Sequence, residues 1–324
     1  IKPYFSEDNV LKGAFDVANK LFGISFNERK DLPVYRDNVR TFEVLDQNDE
    51  VMGIFFTDYT VRPNKGGGAW MNSFISQSNF DGKQIPIIAN TCNFPPPDKN
   101  GISLLSFEQV ETLFHEFGHA LHGLLSDVEY PSLAGTRVSR DFVELPSQLM
   151  ENWGRHPEVI KTYAKHYKTG ETIPDELLKK ISKASTFNQG FATTEYVAAS
   201  YLDMAWHTIK DPVNDANKFE DSVLNGIGLI PQIETRYRST YFGHIFAGGY
   251  ATGYYSYLWT EVLEADAFEP FKDNGLFDKD TADKLRKYIY SSGNSDDLMT
   301  QYVRYRGSEP EIGPLLEKRG LDNF

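Results

Sequence analysis

Leu113-Phe114-His115-Glu116-Phe117-Gly118-His119-Ala120-Leu121-His122 is the stretch whose reading decides the fold. Ser106 can cap a helix here, and Gln109 three residues on completes the capping-box spacing. Nothing from Phe107 to about Gly123 breaks a helix, so the sequence predicts one. At about 100° per residue, Val110, Leu113, Phe114, Phe117, Leu121 and Leu124 gather on one side. His115 and His119 fall on the opposite side, one turn apart, where two imidazoles can hold one metal ion. Glu116 projects about 100° from His115, beside such an ion rather than onto it. In a His-Glu-x-x-His helix zinc lowers the pKa of its water to about 7 and the flanking carboxylate takes the proton. Gly118 is expected near the metal face, where a side chain would crowd an approaching molecule. The competing reading is a buried helix with two hydrogen-bonded histidines.

A catalytic zinc usually takes three protein ligands. His122 shares the metal face but lies about 10 Å along the axis from His115, too far for the same ion. It reads as a polar lining residue. The longer motif with a third histidine fails as well, because position 122 is His and 125 is Leu. The missing ligand must come from elsewhere. Asp141-Phe-Val-Glu144-Leu-Pro-Ser-Gln-Leu-Met-Glu151-Asn-Trp153 is acidic and helix-prone, and puts Glu144, Gln148 and Glu151 on one helical face. Pro146 would kink or start that helix, so its first residue stays open.

Three spaced blocks carry a resemblance: His115-Glu116-Phe-Gly-His119, Asp141-Phe-Val-Glu144-Leu-Pro-Ser-Gln, and His244-Ile-Phe-Ala-Gly-Gly-Tyr250-Ala-Thr-Gly-Tyr254-Tyr-Ser-Tyr257-Leu-Trp259. Together they resemble the thimet-oligopeptidase-like family of zinc peptidases. Gly135-Thr-Arg-Val-Ser-Arg-Asp-Phe142 and Arg304-Tyr-Arg-Gly-Ser-Glu-Pro310 look most like its bacterial dipeptidyl carboxypeptidase branch. The resemblance covers essentially all 324 residues, as the C-terminal catalytic part only. It implies a mainly α fold with a small antiparallel β-sheet (α+β), a zincin-type catalytic domain, and one zinc ion held by His115, His119 and Glu144. It implies Glu116 as the base and Tyr257 and His244 as transition-state donors. Tyr250 matches a substrate-contacting tyrosine. The expected substrates are short peptides losing a C-terminal dipeptide, with internal cleavage of short peptides as the alternative and peptide binding without catalysis as the rival. The resemblance implies a mostly helical N-terminal part, missing from these residues, that forms the other cleft wall, with a separate chain or fragment carrying it as the expected partner.

Upstream of the motif the chain reads as a helix over 6–22, capped by Ser6 and stopped by Gly23, then strands. Val39–Leu45 and Val51–Tyr59 flank Asp46-Gln-Asn-Asp49 as a hairpin, and Ala69–Ser76 and Gln84–Cys92 add two strands. Gly66-Gly67-Gly68 lacks the spacing of a phosphate loop. Either it is a flexible turn, or Gly68, Ala69 and Trp70 open an edge strand along which a peptide can lie. This divides the chain into a helix with a small sheet (1–100), zinc-binding helices (101–155) and a helical remainder with a Tyr/Gly-rich loop (156–324).

Downstream, residues 154–225 read as helical with boundaries near Pro157, Pro174 and Pro212. Tyr250, Tyr254 and Tyr257 recur at i, i+4, i+7, one hydroxyl-bearing face behind the Ala247-Gly248-Gly249 loop. Tyr254 joins Tyr250 as an expected substrate contact. Ala251, Tyr255, Leu258 and Val262 are expected on the core side. Residues 275–324 read as terminal helices. Arg304 and Arg306 read as structural, the alternative for Arg306 being a peptide's C-terminal carboxylate, which a guanidinium pairs with bidentately.

A net charge of −13 speaks against nucleic acid or an anionic membrane as partner. No run of 18 apolar residues could span a bilayer. The lone Cys92 rules out an internal disulfide and suits a reducing compartment, expected to be the cytoplasm, with the periplasm as alternative if a leader was removed.

Overall fold

The computed structural model describes residues 1–322. Helix α1 (Glu7–Phe22) buries Val10, Leu11, Ala14, Val17, Ala18 and Leu21 and stops at Gly23, whose φ of 69° only glycine adopts freely. Ser6 does sit at its N-cap, but its side chain accepts no hydrogen bond there. Five strands follow: β1 (Ser25–Glu28), β2 (Arg40–Leu45), β3 (Val51–Thr60), β4 (Trp70–Ile75) and β5 (Ile87–Phe94). They form one sheet in the order β1-β2-β3-β5-β4. The expected β2–β3 hairpin is present, its turn tied by Asp46 Oδ1, which accepts from the N–H groups of Asn48 and Glu50. The sheet is mixed rather than wholly antiparallel, because β5 pairs with β3 in parallel and with β4 antiparallel. Alternation along a strand specifies which side chains share a face, not which strand lies next door. β5 thus inserts between β3 and β4, and β4 is left at the edge.

Helix α2 (Phe107–Leu124) begins with the expected capping box: Ser106 Oγ accepts from Gln109 N–H at 3.2 Å, and Ser106 N–H donates to Gln109 Oε1 at 2.9 Å. Its apolar side is buried as the periodicity requires. Phe117 meets the rings of Phe15, Phe26 and Phe55 at centroid distances of 5.6–6.0 Å, seating the helix between α1 and the sheet. Two short helices follow, α3 (Arg140–Val143) and α4 (Leu145–Arg155), separated at Glu144. Pro146 has no N–H to donate back into α3, so it restarts the helix. Against α2, α4 lies very close. A Cβ at Gly118 would come within 2.5 Å of Pro146 O and 2.6 Å of Ser147 Cα. Gly118 therefore serves the packing of α4, not the approach of an outside molecule. Gly154 repeats the device against Phe114.

The remaining helices are α5 (Pro157–Tyr163), α6 (Asp175–Ser185), α7 (Gln189–Thr208), α8 (Ala216–Gly226), α9 (Gly243–Phe246), α10 (Ser256–Asn274), α11 (Lys279–Leu285), α12 (Leu298–Arg306) and α13 (Gly313–Arg319). One buried cluster unites α1, the sheet, α2, α4, α5, α10 and α12. A second, small cluster gathers Ala199, Phe242, Ile245 and Tyr254 beneath α7. Residues 251–255 are turns and the helix starts only at Ser256, so the continuous helical faces expected for the tyrosine block do not form. Tyr255, assigned to the core side, is 45% exposed. Among the described residues, no helix is long and apolar enough to cross a membrane.

Candidate metal centre and peptide groove

Helix α2 delivers its two imidazoles to one point because four residues turn them through little more than one turn. The break before α4 delivers Glu144 to the same point. Glu144 Oε2 lies 3.2 Å from His115 Nε2 and 3.0 Å from His119 Nε2. Those three donors are within 4.8 Å of one another, a spacing that suits one ion between them. Glu144 is 2% exposed. Burial works to raise its carboxyl, but His119 and His115 more than reverse this and hold it well below the usual range. Conversely, burial works to lower His115 while Glu144 and Glu151 draw its pKa well above the ordinary value. A site that binds a proton this firmly is one a divalent cation can occupy in the proton's stead, since metal binding displaces ligand protons. Two nitrogens and one carboxylate are a zinc set.

The ligands are themselves held. Glu151 Oε1 lies 2.8 Å from His115 Nδ1, and Glu151 Oε2 accepts from Arg155 Nη2 at 2.8 Å. Arg155 also pairs with Glu111, at 2.7 Å. Gln148 turns elsewhere, its Nε2 donating to Tyr257 O at 3.1 Å. Tyr250 OH donates to Glu144 Oε1 at 2.6 Å, so the ligand's second oxygen is engaged from outside.

Glu116 stands beside this cluster, 5% exposed, with Oε2 free of any partner among the described residues. Burial raises its pKa against the opposing pull of the two histidines. Tyr257 and Tyr250 stack at 5.3 Å with an interplanar angle of 14°, and His244 lies beside them at ring distances of 6.4 and 5.8 Å. Burial pushes both phenols up, so both stay protonated, and burial lowers His244, which stays neutral near pH 7. These groups line a groove of about 520 Å³ with Ala69, Trp70, Met71, Asn72 and Ser73 of the β4 segment along one wall.

Several expected positions fall elsewhere. Tyr254 is 2% exposed, packed on Phe242 and Tyr196, and does not reach the groove. Arg306 is bound to Asp266, Nε to Oδ2 at 3.0 Å and Nη2 to Oδ1 at 3.2 Å, away from the groove. Gly68 forms the turn before β4 with φ 84° and gives its carbonyl to Asn93, outside the lining. His122 is not a lining residue either. It is fully buried, both ring nitrogens lack partners among the described residues, and burial lowers its pKa to about 3. Sequence reasoning passed over Arg137 and Arg140, which line the groove without an acidic partner among the described residues. Arg140 lies 4.4 Å from the centre of the Tyr250 ring. Both belong to the 135–142 block quoted for its resemblance, but surface arginines carry no periodic signal, so that block alone gave them no role.

This site, on a mainly helical zincin-type fold, defines a metallopeptidase class of protein. The chain belongs to peptidase family M3, whose profile matches residues 1–321. It is 45% identical to dipeptidyl carboxypeptidase of Escherichia coli (strain K12), over 99% of this chain and 48% of that protein. It is 39% identical to oligopeptidase A of the same organism, over 99% of this chain and again 48% of that protein. The chain therefore spans about half the length of the curated relatives it matches. Among solved structures, the Pyrococcus furiosus carboxypeptidase is similar in fold, with a TM-score of 0.54 at 14% identity over 98% of this chain and 58% of that one.

Proposed function

We propose that this chain hydrolyses short peptides with one zinc ion held by His115, His119 and Glu144, releasing dipeptides from the C-terminus. The observation that carries the reading is the convergence of these three donors beside an unpartnered Glu116 and two protonated tyrosines. Zinc bound there supplies the Lewis acidity that polarises a carbonyl and ionises water. Glu116 takes the proton of the attacking water and passes it to the leaving amine, work worth roughly 10²–10⁴-fold. Its burial favours that role by raising its basicity. Tyr257, with His244 and Tyr250 beside it, donates to the oxygen that becomes negative. The free edge of β4 pairs with the peptide backbone. Arg137 and Arg140 face the substrate's free carboxylate, the part weighed above as an alternative for Arg306.

The identity to oligopeptidase A supports a second reading, internal cleavage of short peptides. One peptide, offered as free acid and as C-terminal amide, separates the two. A dipeptide-releasing enzyme is slowed at least tenfold on the amide, and equal rates at an internal bond overturn that assignment. Zinc content measured on the same sample tests the metal. We place the chain in the cytoplasm, where its buried, unpaired Cys92 stays reduced. The exposed Phe187, Phe191, Tyr201 and Met204 on and before α7 offer a seat for a separate N-terminal part. Native mass spectrometry of the intact sample tests whether such a chain is bound.

A further inference from the structure

We infer that Asp203, on α7, is the positioning residue that fixes the tyrosine donors. Asp203 is a fully buried carboxylate on the inward face of α7, beside Ala199 and Leu202. Such a group is retained only where hydrogen bonds compensate its loss of water. Here they come from the loop that carries the tyrosines. Thr252 N–H donates to Asp203 Oδ1 and Tyr254 N–H donates to Oδ2, each at 2.9 Å. His207, one turn along α7, places Nδ1 2.9 Å from Oδ1. Tyr196, about two turns before Asp203, donates its hydroxyl to Tyr254 O. Helix α7 thus grips both backbone polar groups of Tyr254.

That grip matters because the loop's own backbone hydrogen bonds run to near neighbours, such as Tyr250 N–H to His244 O and Gly253 N–H to Tyr250 O. It contains Gly248, Gly249 and Gly253, and Thr252 is held at φ 56°, a left-handed conformation that a β-branched residue avoids unless its surroundings impose it. The Tyr254 ring lies under His244 and Tyr257 at 5.6 Å from each, so fixing its backbone fixes the seat of both. From the other side, Gln148 of α4 holds Tyr257 O. Asp203 touches none of the three metal-ligand residues and does not line the groove.

This inference rests on the donor role proposed above for Tyr250 and Tyr257. Asp203→Asn is the test, because it keeps the shape but replaces one acceptor oxygen with an NH₂ group facing a backbone N–H. At saturating zinc, kcat on a short peptide is expected to fall about 30-fold or more, with KM and zinc affinity within about threefold of the parent. Added to Tyr250→Phe/Tyr257→Phe, the same change is expected to slow kcat less than about twofold further. A full penalty persisting in that background overturns the positioning role alone. A Tyr250→Phe/Tyr257→Phe variant with unchanged kcat overturns the donor role and, with it, this inference. Should Asp203→Asn not fold, amide exchange of the unaltered protein decides: Thr252 and Tyr254 N–H must be protected well beyond Ala251, and exchange at the rate of an open loop overturns the grip.

Discussion

Glu144 divides its carboxylate between two duties, Oε2 facing the imidazoles and Oε1 accepting from Tyr250. Losing the outer bond leaves the carboxylate held only through Oε2, where Ser147 Oγ also donates at 3.1 Å, so Tyr250→Phe is expected to weaken zinc binding about tenfold, as loss of a partner behind a ligand usually does. Competition titration with a chromogenic chelator checks this. Glu116 bonds to none of the ligands, so Glu116→Gln should keep its zinc while kcat falls at least about 100-fold. Atomic absorption and a peptide assay on one sample read both. His115, Glu116 and His119 were legible because helical phase alone brings them together. Arg306 is paired as its structural reading expects, and both it and Tyr254 lie away from the groove for a common reason. Sequence shows a side chain's chemistry but not its competitors, and Asp266 claims the one while an aromatic cluster encloses the other. Arg137 and Arg140 lay inside the 135–142 block that carried the branch resemblance, but nothing in it singled them out as groove residues.

At the level of elements, the centre depends on how closely two helices meet. Gly118 permits that approach, and Gly118→Ala must push α4 away or strain it, at about 1–3 kcal/mol. Because His115 and His119 stand on α2 and Glu144 at the head of α4, the same change should weaken metal binding as well. Urea unfolding with a zinc titration checks both. On β3, the 2%-exposed Asp58 accepts from Arg62 and Tyr35 and pairs with Lys65. Burial works to raise its carboxyl, and these partners override it, leaving the pKa below the ordinary 3.8. A depressed pKa stabilises the folded state above the unfolded value and is lost as pH falls through the folded one. The urea midpoint should therefore drop below about pH 4, and less steeply in Asp58→Asn. Helices and strands could be read from period and punctuation. The parallel β3–β5 pairing could not, since strand order is settled by contacts between residues far apart in sequence.

Across the whole molecule, the metal site joins layers that the core holds only from behind. A ligand that binds the folded state alone adds stability by mass action, about 2.7 kcal/mol at a hundred times its Kd. Chelation should therefore lower Tm by several degrees, and restoring zinc should recover it. An unchanged Tm would mean that the donors are not bridged. The mainly helical build was an implication of the resemblance and the edge strand one of two open readings, while the acidic balance was accessible from composition. That α7 forms its own small cluster was not, because its apolar residues are spread around the helix, several of them in water.

The bare edge of β4 has one more consequence. Phe74 and Ile75 are 59% and 39% exposed on a strand whose outer N–H and C=O groups have no neighbour in the sheet. What welcomes a peptide also welcomes a second copy of itself, and unprotected sheet borders are where soluble proteins begin to clump. In concentrated solution this rim should seed self-association, and a saturating dose of uncleaved short peptide should dissolve it, which light scattering would register directly.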